Sequence, residues 1–182
     1  MNKELGIRNK GRGKIFVLLL SSAVVVALGF YLYSSLLIPS SQNSAEQEFV
    51  LSPMGEEYRN EQYGFSLRLP QGFTAREVED SIVLEDQTGN GIQIIITPLD
   101  EDIPTLTKNR IQQDIPDMQI SDEQVVEVGA SRKGLAFRSD NEAFGGASRE
   151  VWFVFRGNLY QISTYERLDP LLKAVFQTWQ FF

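Results

Sequence analysis

A chain of 182 residues with neither cysteine nor histidine is cut off from much of enzyme chemistry. The first absence removes disulfides, thiolate metal sites and thiol nucleophiles; the second removes Ser-His-Asp and Cys-His activation, imidazole-bound zinc and the commonest general base near neutral pH. A formal charge of −7, from 17 Lys and Arg against 24 Asp and Glu, suits basic partners, cations or plain solubility and opposes nucleic acid.

Residues 1–14 are a basic tail, Lys3, Arg8, Lys10, Arg12 and Lys14 against the single acid Glu4. With that tail at about +4 and the whole chain at −7, the remainder carries about −11. Ile15–Ile38 then runs without one charged residue up to Pro39. A helix over this stretch is roughly 36 Å long, enough for a hydrocarbon core of about 30 Å. Tyr31 and Tyr33 suit the headgroup region at its outer end. Basic flanks stay on the cytoplasmic side, which places the N-terminus inside and everything from Pro39 in an extracytoplasmic space. A cleaved secretory signal has the same basic-then-apolar order. This apolar run, however, exceeds the usual core of roughly 7–15 residues, and Asn43 spoils Asn43-Ser44-Ala45 as a small-x-small site. A lipoprotein signal needs a cysteine. The reading is an uncleaved single-pass signal anchor, and either reading exports the rest.

Residues 39–57 are rich in Ser, Gln, Asn and Glu, are interrupted by Pro53 and Gly55, and sustain no period; they read as a flexible tether. Phe49-Val50-Leu51 is its one apolar patch, able to pack on the domain or to serve as a recognition segment. The domain proper is expected over 58–182. Tyr63–Pro70 alternates with Phe65, Leu67 and Leu69 on one face, a strand stopped by Pro70-Gln71-Gly72. Ser81–Glu85 is a second strand, and Thr88-Gly89-Asn90-Gly91 a hairpin turn into Ile92–Thr97, whose Ile94-Ile95-Ile96 run suggests burial on both faces. Asp100, Glu101 and Asp102 ahead of Pro104 predict a helix N-terminus capped by Asp102 or Thr105. Leu106, Arg110/Ile111 and Ile115 fall at helical spacing, and Pro116 ends the helix. Four more strands are expected at Gln124–Val128, Gly134–Arg138, Glu150–Phe155 and Leu159–Tyr165. The apolar Val151–Phe155 is placed at the sheet's centre, and Gly157-Asn158 is read as the next hairpin loop. Asp169 caps a last helix with Pro170 in first position and a stripe of Leu171, Leu172, Val175, Phe176 and Trp179, before an extended Gln180–Phe182. Hairpins with two separated helices predict an α+β fold: a mainly antiparallel sheet sandwiched by helices, preceded by one N-terminal transmembrane helix.

Tyr58-Arg59-Asn60 leading to Tyr63-Gly64-Phe65-Ser66-Leu67-Arg68-Leu69-Pro70-Gln71-Gly72-Phe73 resembles the opening signature of the PsbP-like family. These domains are related to an extrinsic subunit of the photosystem II oxygen-evolving complex and share their fold with a Ran-binding nuclear-import factor. The ending is similar as well, with a Tyr160–Thr164 strand, a helix through Val175-Phe176, and Trp179-Gln180-Phe181. The resemblance spans Tyr58 to Phe182 and implies a non-enzymatic protein- or complex-binding module. Photosynthetic members are described as soluble lumenal or lipid-linked proteins, whereas this chain carries a proteinaceous anchor. No metal- or chloride-related residue of the family matches here.

The residues themselves add little chemistry. No Ser-x-x-Lys spacing occurs, and Lys108, Lys133 and Lys173 read as solvated surface. Asp100, Glu101 and Asp102 lack the glycine and distal glutamate of a calcium loop, and helix capping accounts for them. Gly89-Asn90-Gly91 precedes a strand and is a turn, not a dinucleotide fingerprint. The expectation is therefore no catalytic residue, no cofactor and no metal site. A binding surface is placed in the loops at Asp100, Glu101 and Asp102 and at Asn141–Ser148, including Phe144, Gly145, Gly146 and the nearby Arg149. The chain reads as a single-pass, membrane-anchored scaffold that docks onto an envelope membrane complex or assists its assembly, with a protein partner and no nucleic acid. The alternatives are an anchored hydrolase working through carboxylates and a cell-surface structural protein.

Overall fold

The structure, a computed structural model, describes residues 53–101, 103 and 105–182. Ten strands form two antiparallel sheets. The smaller joins β1 (Met54–Asn60), β2 (Phe65–Pro70) and β10 (Gln180–Phe181) in the order β1-β2-β10. The larger contains β3 (Thr74–Val78), β4 (Ser81–Glu85), β5 (Gly91–Pro98), β6 (Ser121–Val128), β7 (Arg132–Asn141), β8 (Gly146–Phe155) and β9 (Asn158–Tyr165). Its order is β3-β4-β5-β9-β8-β7-β6. Two α-helices complete the domain, α1 (Lys108–Asp114) and α2 (Asp169–Thr178).

The large sheet is a middle layer because its inner strands are apolar on both faces. On β8, Val151, Phe153 and Phe155 enter a core shared with α2 and the small sheet, together with Phe65, Leu67, Ile94, Tyr160, Leu171, Val175 and Trp179. Trp152, between them, points to the opposite face and joins Leu99, Leu106, Ile111, Leu135, Phe137 and Leu159 around α1. Period-two alternation thus feeds two cores from one strand. The helical stripe Leu171, Leu172, Val175 and Phe176 is buried as its 3.6-residue period predicts.

Several local expectations shift. The centre of the seven strands is β9, and β8 lies beside it. The polar residues Ser163 and Thr164 disguise the central position of β9, itself expected as a strand, yet both are buried and bonded, Thr164 Oγ1 donating to Gly91 O at 2.7 Å. Ile92, Ile94 and Ile96 enter the first core while Ile95 is only half-buried, so β5 alternates instead of burying three isoleucines in a row. The β8–β9 loop is Arg156-Gly157, one residue earlier than expected, with Phe155 opposite Asn158 and φ of 49° and 70° at the two loop positions. Positive φ at both positions is the type I′ form of the two-residue hairpin loop, which favours a glycine second. Helix α1 is capped by Thr107, whose hydroxyl accepts from Arg110 N, and not by Thr105; Asp102 lies outside the described residues. Pro116 acts as expected, since Ile115 before it leaves helical geometry at φ −128° and ψ 78°. Asp169 is the first residue of α2, not its cap. The end of the expected tether, Met54–Glu57, already belongs to β1, and β3 has no counterpart among the expected strands.

Among the described residues no helix is long and apolar enough to cross a membrane. Ile15–Ile38, the basic tail and the tether through Ser52, with Phe49-Val50-Leu51, lie outside them.

Candidate functional site

Strand β8 places Arg149 and Val151 on the face that α2 covers, and the i, i+4 spacing of α2 sets Asp169 above Lys173 and Leu172 above Phe176. Between these elements and the β6–β7 hairpin lies an open groove of about 570 Å³. Its walls are the apolar Val126, Ala136, Val151, Leu172 and Phe176. It runs along α2 from Asp169 to Gln177, where Gly129 N donates to Phe176 O at 3.0 Å and ties the hairpin to the end of the helix.

Charge is concentrated at the Asp169 end. Arg149, only 5% exposed, donates from Nε to Asp169 Oδ1 at 3.0 Å, and the exposed Lys173 reaches Asp169 Oδ2 at 2.7 Å. One carboxylate thus bridges a buried and a solvated cation. Arg149 also lies directly opposite Arg138 in the β7–β8 register. Like charges so paired repel, and the domain answers with three acids: Asp169 on Arg149, Asp122 at 3.1 Å and Glu166 at 3.0 Å on Arg138.

The next residue is treated in the opposite way. Glu150 faces the other side of the sheet, is 1% exposed, and accepts from four neutral donors. These are Ser148 Oγ at 2.7 Å, Asn141 Nδ2 at 3.3 Å, Ser163 Oγ at 2.5 Å and Trp152 Nε1 at 3.3 Å. A carboxylate saturated in this way and sealed from water is a structural tie between β8, β9 and the turn after β7.

The other loop residues separate. After Asn141, a short 3₁₀ turn over Glu142–Phe144 is capped by the Asn141 side chain, which accepts from Ala143 N at 3.0 Å. Phe144 is buried edge-on against Tyr165, their ring centres 5.1 Å apart, and Gly145 and Gly146 return the chain into β8. This segment is a packed turn. Asp100 and Glu101 are exposed residues of the connection to α1, on the face opposite the groove. Glu101 takes Arg110 in a two-pronged pair, Nε and Nη2 each 3.1 Å from its oxygens, while Arg110 Nη1 bonds Asp114. Burial pulls the Arg110 guanidinium down, but the bonds and charges of Glu101 and Asp114 outweigh it and hold it above its ordinary value. Of the described loop residues singled out in the sequence, Arg149 alone lines the groove, and Asp102 lies outside them. Asp169 and Lys173 had one legible signal, their i, i+4 spacing; Val126, Ala136 and Val151 had none.

No protein-family model matches the sequence, and no curated protein does. Among solved structures the chain is similar to the solution structure of cyanobacterial PsbP (CyanoP) from Synechocystis sp. PCC 6803. The TM-score is 0.50 at 15% identity, covering 77% of this chain and 98% of that one. It is also similar to a crystal structure from Bacteroides thetaiotaomicron VPI-5482 with a TM-score of 0.48 and 13% identity, covering 71% of this chain and 49% of that one. At such identities the likeness is one of fold: the described domain has a PsbP-like, antiparallel α+β fold.

Proposed function

We propose that this chain is a non-catalytic binding or assembly module, held to a membrane by Ile15–Ile38 and carrying its domain on the extracytoplasmic side. There it docks onto a protein partner within an envelope membrane complex. The observation that carries the reading is the preformed groove along α2, with apolar walls and an ordered ion pair at one end. Shape of this kind holds a ligand in one orientation. The fold likeness to a PsbP structure supports the same reading. The anchor raises the effective concentration of the domain near membrane-bound partners, and the residues after it set its reach.

The test is co-purification from detergent-solubilised membranes, comparing the full-length chain, a Met1–Ser41 anchor fragment and full-length Ala130→Trp, a substitution at the exposed groove mouth. Partners recovered with the full-length chain and lost from both others are the expected result. An identical background from all three baits would overturn it.

A further inference from the structure

Arg149 has more cationic capacity than the domain uses. Its side chain is almost wholly buried, yet among the described residues it makes one hydrogen bond, from Nε to Asp169. Among the described residues neither terminal nitrogen has a partner, and neither is sealed away from solvent, since the buried polar side-chain atoms left without a bond there are Thr97 Oγ1 and Trp179 Nε1. Arg149 lines the groove beside Asp169 and Lys173, so a ligand seated at that end lies within reach of its guanidinium. A carboxylate that replaces solvent at those nitrogens exchanges hydration for a two-pronged, charge-assisted bond in a partly dehydrated groove.

We infer that the groove binds a monocarboxylate bearing an apolar group, its carboxylate on the terminal nitrogens of Arg149 and its apolar part along Val126, Val151, Leu172 and Phe176. This rests on the groove being the binding face and specifies what that face accepts. A guanidinium edge presents two parallel N–H donors that match the planar spacing of a carboxylate. The edge is pre-set, because the Nε bond to Asp169 fixes the plane of the group and Lys173 holds Asp169 from the other side. A single negative charge fits and a phosphate dianion does not. Lys173 is already engaged by Asp169, and the carboxylates of Asp169 and Glu127 line the same groove and repel a second charge. The apolar walls beyond the charged end require a hydrophobic body. Two sources share this chemistry, the C-terminus of a polypeptide ending in apolar residues and a free apolar acid.

The experiment is calorimetric titration of the full-length chain in uncharged detergent micelles. The probes are N-acetyl-Val-Leu, its C-terminal amide, 3-phenylpropionate and inorganic phosphate. At least one of the two carboxylates binds, about tenfold or more tighter than the amide in the peptide's case, and phosphate does not compete. Arg149→Lys keeps the charge, loses the fork and weakens binding by about tenfold. Ala130→Trp sits at the far end of the groove, away from the ion pair, and abolishes binding even if the Arg149 variant fails to fold. Binding of N-acetyl-Val-Leu alone assigns the site to polypeptide C-termini, and of 3-phenylpropionate alone to free acids. Equal binding of acid and amide, no binding of either acid, effective competition by phosphate, or wild-type binding by Ala130→Trp each overturns the inference. If these probes fail while co-purified partners are still lost from Ala130→Trp, the carboxylate specificity falls and the binding module stands. If both experiments fail, the module reading falls with it.

Discussion

Arg149 and Glu150 stand side by side on β8, and the pleat sends them to opposite faces with opposite fates: one keeps free donors beside an open groove, the other is closed in by four. Removing the carboxylate of Glu150 leaves the Ser163 hydroxyl and the indole N–H of Trp152 unpartnered in the interior, and Ser148 with only its 3.4 Å bond to Ser139 O. Glu150→Ala is therefore expected to lower unfolding stability by about 3 kcal/mol, read as the shift in urea midpoint, with Glu150→Gln much milder. An unchanged midpoint for the alanine variant would show that the tie contributes nothing. Asp86 plays a smaller local part in the β4–β5 turn, accepting from Thr88 N at 2.8 Å, Asn90 N at 2.9 Å and Asn90 Nδ2 at 2.8 Å. Burial pushes its carboxyl up, but the bonds from Asn90 and Thr88 outweigh this and hold it below its ordinary value. A carboxyl with a lower folded than unfolded pKa stabilises the fold above the unfolded value, and that contribution fades as pH falls through the folded one. Asp86→Ala should cost about 1 kcal/mol at neutral pH. The difference from wild type should shrink as the pH is lowered below the ordinary carboxylate range, so a gap that stayed constant down to strong acid would contradict the assignment.

Among the elements, the strands with one clean apolar face were legible, and so was α2, because period and turn chemistry are written in neighbouring residues. The strands that escaped, β1 and β3, are edge strands, and their largely polar sequences Met54–Asn60 and Thr74–Val78 carry little alternation to read. They are strands because β2 and β4 offer them backbone partners. Helix α1 has only seven residues and buries Ile111, so it depends on its neighbours more than on propensity. The junction of β6 with α2 turns on one glycine. Gly129 sits at φ +58°, and a Cβ there would lie 2.3 Å from Trp179 O. Gly129→Ala combines left-handed strain with a backbone collision, and a loss of at least about 2 kcal/mol is expected in thermal or urea unfolding. Because Gly129 lines the groove, the same variant should also weaken partner recovery; full stability would show that the junction can move.

For the whole molecule, the proposed topology has its own test. In intact cells or spheroplasts, protease added outside should remove the domain and leave the Met1–Lys14 tail protected. Cleavage of the domain only after permeabilisation would reverse the orientation. The sequence by itself determined what depends on residues close along the chain: a charge-free Ile15–Ile38 behind a basic tail, the main alternating strands, the turn at Thr88–Gly91, the α2 stripe, and the lack of thiol and imidazole chemistry. It also brought Arg149 forward, though as part of a loop surface. Only the tertiary structure decided that β9 is central, that Arg149 meets Asp169 twenty residues away, and that Glu150 meets Ser163 across the sheet. Such pairings depend on strand order and register, which are set when two cores close on the two faces of one sheet, and a slip of one residue would exchange the groove's arginine for the buried glutamate.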